Sequence, residues 1–106
     1  MENKPIIVLC TTPDMECASK IAQSLVEKKL AACCNIVPGL TSVYTWKGKT
    51  EQADEHLLVI KTKSDKFKTV EDVIYKLHPY EVPEIIALDI TAGSENYLKW
   101  ISENVG

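Results

Sequence analysis

The side chains of this chain that could do chemistry gather in one short stretch, His78-Pro79-Tyr80-Glu81-Val82-Pro83-Glu84. It sets an imidazole, a phenol and two carboxylates on a backbone stiffened by Pro79 and Pro83. A stiff loop with titratable groups at a helix end is suited to holding a ligand. The same spacing also describes a rigid turn in which Tyr80 packs and the glutamates are solvated. Elsewhere the reactive groups are scattered. Lys61 ends the apolar run Leu57-Leu58-Val59-Ile60, where a lone charge requires a carboxylate partner or an anionic ligand. His56 reads as a surface or interface residue. Cys33 with His78 is the one nucleophile and base pair worth naming, and nothing in the sequence orients it.

The four cysteines, Cys10, Cys17, Cys33 and Cys34, lack the Cys-x-x-Cys spacing of zinc and dithiol sites. Cys33 and Cys34 are adjacent, so in a strand they face opposite ways and cannot grip one ion together. They read as small buried hydrophobes with free thiols in a reducing compartment. Neither a Walker-type glycine loop nor a dinucleotide fingerprint is present. With no organic cofactor evident and no nucleophile-base-orienter set, the chain reads as a non-enzyme.

The elements that must carry these residues are legible from periodicity. Residues 31–63 read as a long two-stranded ribbon, one arm from Ala31 to Lys47 and the other from Thr50 to Lys63. Gly48 supplies the positive φ of the turn, and Pro38-Gly39 marks a bend or bulge in the first arm. Pro5–Thr12 is apolar without alternation and reads as a central strand. Thr12-Pro13-Asp14 then opens a helix with Thr12 as cap. Its buried stripe is Met15, Ala18, Ile21, Ala22, Leu25 and Val26, and Lys28 and Lys29 close the last turn. Ser64 caps a second helix with the stripe Phe67, Val70, Ile74 and Leu77, stopped by His78-Pro79. Glu84–Thr91 is a fourth strand. Gly93-Ser94 restarts a short helix that buries Tyr97, Leu98 and Ile101, with Trp100 outward or against a partner.

The fold class is therefore α+β: a ferredoxin-like βαββαβ order with an extra C-terminal helix and a long hairpin between the second and third strands. Residues 1–106 form a single domain, of a size that buries roughly 65% of its unfolded surface. Leu57 and Val59 face one side of their strand and Leu58 and Ile60 the other. Two helices on one face leave the second face to be covered by another copy of the chain. Tyr44 and Trp46, together with Leu57 and Val59, are the expected interface residues.

Composition narrows the function classes. Hydrophobic residues make up 45% and charged ones 25%, as in ordinary globular proteins. The net charge of −3 shows no nucleic-acid footprint. All 12 basic residues are lysines, so no arginine fork for phosphate exists. No apolar run approaches a membrane span, and the N-terminal stretch has no signal-peptide cleavage pattern; a cytoplasmic location is expected.

Taken in order, LAACCNIVPGLTSVYTWKGK, LLVIKT, HPYEVPEIIAL and YLKWI resemble the CutA family of divalent-cation tolerance proteins, over essentially the whole chain. The resemblance implies a ferredoxin-like subunit in a tight homotrimer related to the PII signalling proteins. It also implies a cytoplasmic role in tolerance to copper or other divalent metal ions. Carried over residue by residue, it implies a cleft between subunits with Cys33, His78, Glu81 and Glu84 as metal ligands and Trp46, Lys61 and Tyr80 beside them. Some relatives carry a His where Leu77 stands and cysteines at Thr12 and Val73, so a soft copper site is thinner here. The alternative is a PII-like sensor that binds a small anion or nucleotide through Lys61.

Overall fold

The computed structural model describes residues 3–106; Met1 and Glu2 lie outside the described residues. The elements run β1 (Pro5–Thr12), α1 (Met15–Glu27), β2 (Cys33–Trp46), β3 (Lys49–Lys63), α2 (Phe67–Leu77), β4 (Ile86–Asp89) and α3 (Glu95–Glu103). The sheet is antiparallel in the order β2-β3-β1-β4, so the two strands with continuous apolar runs are its central pair. This is the expected mixed α+β architecture, terminal helix included.

The core forms where the helical stripes meet one face of that sheet. β1 contributes Ile6, Val8 and Cys10, and β3 contributes Leu58 and Ile60. Against them α1 buries Ala18, Ile21 and Leu25, and α2 buries Val70, Val73 and Ile74. Each large side chain so buried stabilises the fold by about 1.5–3 kcal/mol.

Several local details depart from the expectation. The cap of α1 is Asp14, whose Oδ1 accepts the Cys17 N–H at 2.8 Å, because Thr12 stays in β1. The buried stripe is turned accordingly: Cys17 enters it, while Met15 and Val26 at its flanks are exposed. In α2 Val73 is buried, while Leu77 in its last turn is exposed. Ser64 opens a short 3₁₀ turn rather than capping α2, and its Oγ accepts the Lys4 N–H at 2.9 Å. β4 covers only Ile86–Asp89, the length that finds partners in Ile6–Leu9 of β1.

The ribbon is as long as expected, with its first arm starting at Cys33 rather than Ala31. Trp46 pairs with Lys49, leaving a two-residue turn in which both Lys47 (φ 51°) and Gly48 (φ 79°) are left-handed. That is the geometry whose twist matches the flanking strands. The register slips between Val37 and Leu40, so Pro38-Gly39 forms the expected bulge. The ribbon overhangs the domain and stretches the molecule to 43 Å against 26 Å in the other two directions.

Register also defines the second face of the sheet. Cys33, Lys61, Ile7 and Leu88 form one row across it, and Asn35, Val59, Leu9 and Ile86 the next. Neither α1 nor α2 lies on this side. α3 does reach it at one end, where Tyr97 meets Cys33. Ile101 of α3 is fully buried outside the main core. The face is therefore open only beyond that end, with Ile86 and Leu88 about half exposed.

Candidate ligand cleft

The His78–Glu84 loop begins where Pro79 forces the preceding residue out of the helical region; His78 has φ −89° and ψ 133°. Its ring folds back onto β1. Nε2 lies 2.8 Å from the Thr11 carbonyl oxygen, and Nδ1 accepts the Tyr80 N–H at 3.2 Å. An accepting Nδ1 requires the neutral ring with its proton on Nε2, donated to Thr11. Both nitrogens are thus engaged, and a metal taking either one displaces a bond that anchors the loop.

Tyr80 stacks obliquely on His78, ring centroids 4.6 Å apart, and its hydroxyl donates to Glu55 Oε2 at 2.8 Å. Burial, and then this bond to Glu55, push the Tyr80 phenol above its ordinary pKa. Glu55 comes from the middle of β3 and is only 6% exposed.

Between loop and ribbon lies a cleft of about 850 Å³. The ribbon lines it with Ser42, Tyr44, Trp46 and Glu55, the loop with Tyr80, Glu81, Val82 and Glu84, and β1 with Thr11. Its titratable lining consists of three carboxylates and two phenols, with no lysine or histidine among the described residues. Lys47 approaches from the turn, its ammonium 5.8 Å from the centre of the Trp46 ring. Such a cleft offers oxygen ligands and ring faces to a positively charged species.

The structure thus brings Tyr44, Trp46, Tyr80, Glu81 and Glu84 together, with His78 behind the loop. Cys33 and Lys61 are elsewhere. They face each other across β2 and β3, level with Ile7, whereas His78 binds level with Thr11. That separation along β1 amounts to about 13 Å. The Lys61 ammonium donates to Asn35 Oδ1 rather than to a carboxylate. Among the described residues no three His, Cys, Asp or Glu side chains converge as a metal set. Cys33, His78, Glu81 and Glu84 are not gathered within one chain. Leu57 and Val59 lie half-buried on the second sheet face, away from the helices.

All four thiols are free. Burial pushes Cys10 and Cys34 up to about 12, and Cys17 is raised for the same reason, so these three resist ionisation. His56 sits half-buried opposite the bulge, and its Nδ1 has no partner among the described residues. Glu55 is the residue that sequence reasoning missed. Strand alternation puts it on the face of Leu57 and Val59, so an acid continuing an apolar face was its signal.

The CutA1 divalent ion tolerance protein family matches residues 6–104. The chain belongs to this family. The CutA divalent-cation tolerance protein of Thermus thermophilus is 50% identical over 100 residues, which cover 94% of this chain and 97% of that protein. The chloroplastic protein CutA of Arabidopsis thaliana is 46% identical over 99 residues, 93% of this chain but 54% of its own length. The chain therefore spans about half of that plant relative. The solved CutA1 structure from Thermus thermophilus superposes with a TM-score of 0.94 at 49% identity, covering 96% of this chain and 99% of its own. Among the described residues of this CutA1 family member, no helix is long and apolar enough to cross a membrane.

Proposed function

We propose that this chain serves divalent-cation tolerance as a homotrimer, binding copper or another divalent ion non-enzymatically in the cleft between ribbon and loop. One observation carries the reading: the cleft is lined by Glu55, Glu81 and Glu84 and by no basic side chain among the described residues. Carboxylate oxygens suit hard or intermediate divalent ions. A Cys33 ligand fits only if an adjoining copy supplies it, since within one chain Cys33 lies far from the loop. His78 can join at the expense of a loop anchor. An anion or nucleotide sensor is the weaker reading, because Lys61, its one basic candidate, is held by Asn35 outside the cleft. A cytoplasmic setting belongs to the same proposal, although the Arabidopsis thaliana relative is a chloroplastic protein.

The test is calorimetric titration of Cu²⁺ and Zn²⁺ into wild type and a Glu81→Gln/Glu84→Gln variant. Affinity about tenfold or more weaker in the variant is expected, since each lost ionic ligand costs more than about 1 kcal/mol. Equal affinity in both proteins would overturn the assignment of the cleft.

A further inference from the structure

Among the described residues Glu55 is the buried carboxylate, and no lysine or histidine is hydrogen-bonded or ion-paired to it. The Tyr80 hydroxyl donates to one of its oxygens, but a neutral hydroxyl does not offset a buried charge. With no arginine in the chain, a counter-cation has to come from a lysine or from outside. Beside Glu55 the cleft is walled by rings: Tyr44, Trp46 and Tyr80. Aromatic faces carry the negative lobe of a quadrupole and attract large, weakly hydrated cations. A small divalent metal ion has no use for such walls, because it binds oxygen, nitrogen or sulfur. The chain itself already sets an ammonium near one of these rings, that of Lys47 against Trp46. A cleft of about 850 Å³ is also within the size range of small-molecule sites.

We propose that the cleft binds an organic ammonium ion, its alkyl groups against the rings of Tyr44, Trp46 and Tyr80 and its charge turned to Glu55. This rests on the reading of the cleft as a cation site and adds a second class of ligand to it. Metal ion and ammonium ion share Glu55, so each weakens the other by competition for that charge.

The probe is tetramethylammonium chloride, titrated into the full chain at constant ionic strength and followed by calorimetry. Saturable binding is expected, weakened about tenfold by Glu55→Gln and left unchanged by the remote Glu103→Gln. Glu55→Gln keeps an oxygen for the Tyr80 hydroxyl, so it removes charge without removing that bond. Neopentyl alcohol, the uncharged counterpart of similar shape, is expected to bind at least tenfold more weakly to wild type. Equal binding of the two probes, no saturable binding of tetramethylammonium, or equal affinity in wild type and Glu55→Gln overturns the proposal. Metal titration of the same samples separates the two readings. Metal binding that depends on Glu81 and Glu84, with no ammonium binding, sinks this inference alone; neither ligand binding sinks both.

Discussion

Tyr80 and Glu55 set each other's behaviour. Replacing Tyr80 by Phe leaves a buried Glu55 oxygen without its donor, and such an orphaned acceptor costs about 1–3 kcal/mol. Urea denaturation of Tyr80→Phe is expected to show a midpoint lowered to that extent; an unchanged midpoint would mean that water replaces the phenol at no cost. The raised pKa values of Tyr80, Cys10 and Cys34 add an alkaline signature. Each group ionises more readily in the unfolded chain, near pH 9 for a thiol and near 10 for a phenol. Unfolding therefore releases protons above those values. The stability from these neutral groups is complete below about pH 9 and is lost as pH rises through about 12. Melting temperature against pH should fall across that window, and Tyr80→Phe should fall less steeply than wild type. The partnership was legible only in part. HPYEVPE stands out in the sequence because its groups are consecutive, whereas Glu55 lies in a polar stretch 25 residues before Tyr80 and meets it only through the fold.

Strands and helices were read well wherever burial dictates composition, and less well at their ends. β1 runs over the eight residues expected, since each lies in the middle of the sheet. Helix starts are competitions between neighbouring capping residues, and Thr12 lost to Asp14 because its backbone remains paired with His56 of β3. At its other end α1 finishes in a Schellman motif: Leu30 N–H bonds the Leu25 carbonyl at 2.9 Å and Lys29 N–H that of Val26 at 3.0 Å. The residue this motif forces into the left-handed region is Lys29, with φ 58°. A side chain there costs about 1 kcal/mol that glycine does not. Lys29→Gly is accordingly expected to stabilise the protein by about 0.5–1 kcal/mol, read from the denaturation midpoint. A loss of stability would show that the contacts of the Lys29 side chain outweigh the backbone gain, since the bond from the Gly106 N–H to the Lys29 carbonyl is kept in the variant.

The molecule as a whole carries one unfinished surface. Ile7, Leu9, Val59, Ile86 and Leu88 share the face of the sheet opposite α1 and α2, and α3 closes only the end near Cys33. A contiguous apolar face of this kind marks an association site. The ribbon, which lengthens the molecule to 43 Å, carries Tyr44 and Trp46 about 40% exposed beyond the body of the domain. Both features suit the trimer proposed above, in which the sheets would pack by their open faces and each ribbon would reach a neighbour. Val59→Lys tests this without threatening the subunit, because Val59 points away from the core formed by Leu58 and Ile60. Three buried ammonium groups brought together at the centre of an assembly have no counter-charge, a situation that costs several kcal/mol per ion. Sedimentation equilibrium at micromolar concentration is expected to give three times the 11.8 kDa chain mass for wild type and the single-chain mass for Val59→Lys. Trp46→Ala, which removes an anchor at the periphery, should weaken the trimer by about 2 kcal/mol without abolishing it. A wild-type protein that sediments as a monomer, or a Val59→Lys variant that remains trimeric, would show that the open face is not where the copies meet.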